Sequence, residues 1–425
     1  MMKIKEIKAR QLIDCKCRPM IEVDVITEDG YIGRGSAPTG SSVGMYEAFV
    51  LRDNNPNEYK GLSVRKAVEN INNVIAPALI GKNVIDQEKI DRIMIDLDGT
   101  ELKTRLGGNA IYSVSIACMH AAAKRKGLEL YEYIANGAIT SVPVPSFNVI
   151  NGGKYDNLVQ PFNEFLIVPY KAKNIEEAVE MSVLVFQELE KVLTNYLGRK
   201  PNIASSYGYA APSEDPEIIL ELIQSAIDNC GYKGKIAFAL DCASSEMYDK
   251  ATDTYQLKGK QISAIELVDY VEKLTTKFDF VFIEDLLDEN DWKGFIYAIK
   301  TIDKALILGD DLIVTNKDKL MYAHQNHAVH GFILKPNQIG TITEALDTFD
   351  FAHNNGLLAI PSGRSGGVIG DICMDLAVGL HVPFIKNGAP RSGERIDKLN
   401  YLMRVADLSN PCPMSDISSL VKFNN

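Results

Sequence analysis

The feature that most constrains the fold is a ladder of short apolar runs in the second part of the chain, each stopping at a polar or charged residue. "KIAFALD" stops at Asp241, "FVFIED" reaches Glu284, "ALILGD" Asp310, "GFILK" Lys335, "LLAIPS" Ser362 and "PFIK" Lys386. From Glu284 onward these ends lie 26, 25, 27 and 24 residues apart. A step of that length holds one strand, one helix and two short loops, the βα unit of a parallel sheet. Six such units predict a (β/α) barrel with its active residues at the C-terminal strand ends. The first step, 43 residues, is longer and contains "MYDKATDTYQLKGKQ", which reads as a small hairpin insertion.

The first part of the chain has a different pattern. "MIEVDVITEDGYIGRGSAP" alternates around a D-G turn, which predicts a hairpin. Helical periodicity follows over residues 64–80, 85–97 and 109–127, the last Ala-rich and stopping at Gly127. "NGAITSVPVPS" gathers Gly, Pro and Ser, so a boundary is expected within 136–145. It divides the chain into an α+β domain over 1–138 and a barrel over 139–425.

Composition narrows the function. A net charge of −11 and a pI near 5.2 argue against nucleic-acid binding, which needs a basic surface. The N-terminus lacks an apolar core of signal-peptide type, and no run of 18 apolar residues occurs, so neither a signal peptide nor a membrane span is expected. Seven widely scattered cysteines suit reduced thiols, and the expected location is the cytoplasm.

Three successive strands end in the carboxylates Asp241, Glu284 and Asp310, and the acids continue through Asp285, Asp288, Glu289 and Asp291. In a barrel those ends converge, and anions so close repel unless protons or a cation neutralise them. Three carboxylates with water in the remaining positions suit a hard ion, Mg²⁺ before Ca²⁺ or Mn²⁺. Each acid taken alone could instead cap the following helix. Lys335 comes next round the ring. In a partly dry site beside a bound cation its neutral amine becomes accessible, which suits a general base. Lys386 adds a second cation, and Arg364 with Ser365 offers a planar fork and a hydroxyl to an anion such as phosphate. The residues thus predict a Mg²⁺-dependent barrel enzyme acting on a small anion, forming an enediolate when Lys335 removes a proton α to a carboxylate.

The same stretches resemble the enolase (phosphopyruvate hydratase) family over nearly the whole length. They include "APTGSSVGMYEA", "VPVPSFNVINGG", "FALDCASSE", "IEDLLDENDWKGF", "LGDDLIVTN", "LKPNQIG" and "IKNGAPRS". The resemblance implies a small α+β cap domain, a (β/α)8-type barrel, a homodimer, and water elimination from 2-phosphoglycerate in glycolysis. It implies Asp241, Glu284 and Asp310 as primary Mg²⁺ ligands and Lys335 as the base. Lys386 would bind the substrate carboxylate, Arg364 and Ser365 the phosphate. Ser42 would reach a second, substrate-dependent Mg²⁺, and Glu164 would be a carboxylate on the acid side of the site.

The chain also departs from the family pattern. Tyr207, in "ASSYGYAAP", stands where the family carries its general-acid glutamate, and a phenol is a far weaker acid at neutral pH. Gly363 and Tyr155 stand at histidine positions, Asn163 at a glutamine and Lys16 at an arginine. The metal, base, carboxylate and phosphate ends match, whereas the end that protonates the leaving hydroxyl is altered. The expected activity is therefore on 2-phosphoglycerate or a close phospho- or phosphono-acid. The alternatives are a paralogue with another substrate, such as a carboxyphosphonoenolpyruvate synthase-like enzyme, and a non-catalytic binding protein. Loss of turnover, against retained partner binding, in Lys335→Ala separates enzyme from scaffold.

Overall fold

The computed structural model describes residues 2–40, 44–409 and 412–423. The N-terminal part is an antiparallel sheet in the order β1 (Ile4–Ile13), β2 (Pro19–Thr27), β3 (Ile32–Ser36). The expected hairpin is β2–β3, with Gly30 supplying the left-handed φ of +89° at its turn. Strand β1 was not legible, because a register shift between Ile4 and Glu6 breaks its alternation. The sheet lies on the helix Gly108–Arg125, nearly all of which is buried. Gly33 and Gly35 set that approach: a Cβ at either would collide with the helix backbone at Ala117 or Ser113. The helix expected over 64–80 is broken into Arg65–Asn70, a π-helical stretch Ile71–Ile75, and Ala76–Leu79. Pro77, in the last piece, has no N–H to give a carbonyl four residues back.

The remainder is a closed barrel. Its strands are β4 (Val144–Tyr155), β5 (Leu158–Val168), the short β6 (Tyr209–Ala210) beside β4, and β7 (Ala237–Asp241). An insertion of β8 (Tyr248–Asp249), β9 (Thr254–Leu257) and β10 (Lys260–Ile262) forms a three-stranded meander, one strand more than the expected hairpin. Then follow β11 (Phe280–Glu284), β12 (Leu306–Gly309), β13 (Gly331–Leu334), β14 (Leu358–Pro361) and β15 (Phe384–Lys386). The order is β14-β13-β12-β11-β7-β5-β4-β15, and a parallel bridge between Ser362 and Lys386 closes the ring.

One strand runs against the rest. β5 is antiparallel to both β4 and β7. Its connection to β4 is only Asp156-Asn157, both with positive φ (49° and 68°). That is the geometry of a primed hairpin turn, and two residues can join only antiparallel strands. From β7 onward the longer helical crossovers restore parallel pairing. Val281, Phe282, Leu308, Ile333, Ile360 and Phe384 fill the barrel interior, while Phe238, Phe280, Ile283 and Ile307 pack outward on the helices. No helix of the described residues is long and apolar enough to cross a membrane.

Candidate active site at the barrel mouth

The sheet register sets the site. Across adjacent strands Glu164 pairs with Asp241, and Asp241 with Glu284. Asp310 and Lys335 directly follow β12 and β13, and Lys386 ends β15. The strand-end acids are not helix caps. The longer helices that follow β11, β12 and β13 are capped by Asp291, Asn316 and Thr341, each side chain accepting the backbone N–H three residues further on. With short polar caps doing that work, Glu284 and Asp310 point into the mouth instead.

A cavity of about 330 Å³ opens there, lined by Glu164, Asp241, Asp310, Lys335 and Lys386, and also by Asn163, Tyr155, Arg364 and Ser365. The two lysines divide the acids. Lys386 Nζ pairs with Glu284, lies 3.3 Å from Asp241 Oδ2 and 3.6 Å from Glu164 Oε2. Lys335 pairs with Asp310, whose other oxygen accepts from Gln338 Nε2 at 2.8 Å. Asn163 donates to Asp241 at 3.1 Å, and Asn148 to Glu164 at 2.9 Å. Burial alone would lower both lysines, but the facing carboxylates outweigh it and hold both above the ordinary value. Burial would likewise raise Asp310, and Lys335 overrides it and keeps it below the usual range.

The expected ligand set is therefore brought to one mouth, but Asp241 and Glu284 converge on Lys386 while Asp310 turns to Lys335. A second acid group, not assigned from the sequence, lies beside it. Asp285, Asp310 and Asp311 place oxygens within 4.8 Å of one another. Asp285 is largely a scaffold: its two oxygens accept the backbone N–H groups of Asp310 and Asp311, each at 2.8 Å. It does so from a left-handed φ of 45°. Burial and then the Asp310 charge push Asp311 up to about 7. The signal for both lay in the sequence, since each directly follows an assigned acid.

The donor set fits a hard divalent cation. Asp241, Glu284, Asp310 and Asp311 with Glu164 outnumber the two lysines. The fully buried Glu284 keeps Oε1 without a hydrogen-bond partner among the described residues.

Arg364 and Ser365 line the cavity, and Arg364 also makes a buried bidentate pair with Glu47, a partner the sequence reading missed. Ser42 lies outside the described residues. Tyr155 is at the cavity wall, where its hydroxyl accepts the Ser205 N–H at 3.4 Å.

Tyr207 corrects an expectation. It stands in the chain where the family carries its general acid, but Ser205 and Ser206 line the cavity at that segment and Tyr207 does not. Its backbone takes a left-handed φ of 70°, and its hydroxyl donates to the Cys15 carbonyl at 2.8 Å. Burial, and then the Cys15 side chain, push its pKa up to about 12. A proton committed to a carbonyl and held that tightly is not one a leaving group receives.

Two family models account for most of the chain. "Enolase, N-terminal domain" matches residues 4–134, and "Enolase, C-terminal TIM barrel domain" matches residues 139–413.

Proposed function

The chain belongs to the enolase family, and from that premise we propose that it is a Mg²⁺-dependent carbon–oxygen lyase of small phospho-acids. Its substrate is 2-phosphoglycerate or a close phospho- or phosphono-acid analogue. The observation that carries this reading is the division of the strand-end acids between two lysines in one cavity, Lys335 on Asp310 and Lys386 on Asp241 and Glu284.

Lys386 stands at the end that receives the substrate carboxylate, and Arg364 and Ser365 at the end that receives the phosphate. Lys335 takes the proton from the carbon α to that carboxylate. Asp241, Glu284 and Asp310 would hold Mg²⁺, which supplies charge neutralisation for the carboxylate as negative charge builds on it. Glu164, lining the cavity across from Asp241 in the β5–β7 register, acts from its protonated carboxyl form and gives that proton to the departing hydroxyl. The C–H electron pair becomes the new C=C bond, the C–O bond breaks, and water leaves.

The test is solvent exchange. Incubated in D₂O with Mg²⁺ and 2-phosphoglycerate, the protein should wash deuterium into the α-position, as seen by NMR. Lys335→Ala should exchange slower by about 10² to 10⁴. Equal exchange by parent and variant would remove Lys335 as the base.

A further inference from the structure

A smaller cavity of about 40 Å³ opens from the main one and shares Glu164, Ser362, Gly363, Arg364, Ser365 and Lys386 with it. Its far wall is Asn387, Gly388, Arg395 and Lys398, the last two on the helix Gly393–Leu408. Gly363 keeps the passage open: a Cβ there would sit 2.5 Å from Lys398 Nζ. A space of this size holds more than one water-sized group, since one needs roughly 10–15 Å³. It is too small for a second phosphate with its contacts.

The wall is built and polar. Asn387 is 2% exposed, and neither its amide oxygen nor its amide nitrogen has a hydrogen-bond partner among the described residues. Arg395 Nε likewise makes no hydrogen bond and lies 3.7 Å from Glu394 Oε2. Buried polar atoms are nearly always paired, so this cluster of unpaired atoms in one small space points to something that fills it. Its lining says what. Arg364, Lys386, Arg395 and Lys398 line the space with Glu164; each cation also faces an acid, Glu47, Glu284 with Asp241, Glu394, and Glu394 with Asp371 in turn, so donors line the space without an excess of charge. An acceptor-rich group suits donors so arranged.

We propose that this side cavity is a second anion subsite, and that the natural substrate carries a second carboxylate-sized arm beyond its core carboxylate and phosphate. The inference rests on the reading of the main cavity given above. In it, the core binds at Lys386, Arg364 and Ser365, and the arm passes Gly363 to meet Asn387, Arg395 and Lys398. The arm accepts from the unpaired Asn387 Nδ2, so a substrate without it leaves that donor unpaired and binds more weakly.

Calorimetric titration in Mg²⁺ with two ligands separates the readings. Phosphoglycolate presents the core alone, and 2-phosphomalate the same core with an added CH₂–carboxylate. The parent should bind 2-phosphomalate at least about tenfold tighter. Gly363→Ala closes the passage and Asn387→Leu removes the amide, so each should bring the affinity ratio close to one. Reading a ratio cancels any general loss of binding, and either variant decides the matter if the other fails to fold. Equal affinity in the parent, with both ligands bound, overturns the second subsite and leaves the core site standing. A preference that survives both variants overturns its placement at Gly363 and Asn387. Failure of both ligands to bind the parent overturns the core reading and this inference with it.

Discussion

Arg364 and Glu47, 317 positions apart in the chain, meet as a buried bidentate ion pair, with guanidinium nitrogens 2.9 and 3.1 Å from the two carboxylate oxygens. Glu47 also accepts the N–H of Gly44 at 3.0 Å. The pair therefore ties the loop after residue 43 to the phosphate end of the candidate site. Removing one partner leaves the other buried and charged, a loss of about 3–5 kcal/mol. Glu47→Gln should lower the urea midpoint accordingly, and adding Arg364→Met should recover part of the loss. Unchanged unfolding of the single variant would show that the pair contributes little.

Mg²⁺ should stabilise the fold through the acids at the mouth. A ligand that binds only the folded state adds about 2.7 kcal/mol at a hundred times its dissociation constant. Melting should rise in Mg²⁺ and fall back with EDTA, and Glu284→Gln should abolish most of the rise. A Glu284→Gln protein that responds to Mg²⁺ like the parent would place the ion elsewhere.

Glu164 and Tyr207 should part company under mutation. Glu164→Gln is expected to reduce turnover by about 10² to 10⁴, the usual worth of a general acid. Tyr207→Phe removes one bond to the Cys15 carbonyl, about 0.5–1.5 kcal/mol of stability, and should leave turnover near the parent's. Initial rates for the two variants decide it, and a large rate loss in Tyr207→Phe would return the phenol to the mechanism.

Asp375 sets a pH dependence away from the site. It lies buried on the helix Cys373–Gly379, and the Tyr401 hydroxyl donates to it at 2.6 Å. Burial first, and then Asp371 against the pull of that hydrogen bond, raise it to about 7. A carboxyl with a folded pKa above its unfolded value near 4 binds more protons when folded. Its contribution is therefore fully present below about pH 4 and is lost as the pH rises to about 7, on the order of 4 kcal/mol at most. Asp375→Asn keeps the acceptor and removes the charge, so it should be more stable than the parent at pH 8 and equal to it at pH 4. Parallel stability curves for the two proteins from pH 4 to 8 would rule this out.

The sequence by itself determined the barrel and the charged residues at its strand ends. A strand that enters a crowded ring must be apolar, and the spacing of Glu284, Asp310, Lys335, Ser362 and Lys386 leaves room for one helix between strands. Those two regularities can be read without coordinates. The reversed β5 was written locally as well, in Asp156-Asn157, but the two-residue length of that turn can be read only once the ends of β4 and β5 are known. Only the tertiary structure decided how the charges pair. Lys386 facing Glu284, Asp285 bonding the backbone of Asp310 and Asp311, and Glu47 gripping Arg364 each join segments that the chain keeps far apart, and no local pattern fixes which partner a charge meets. Tyr207 shows the same limit at one residue. Its place in the chain fitted the site, but its hydroxyl bonds the carbonyl of Cys15, a partner 192 positions away that no local pattern names.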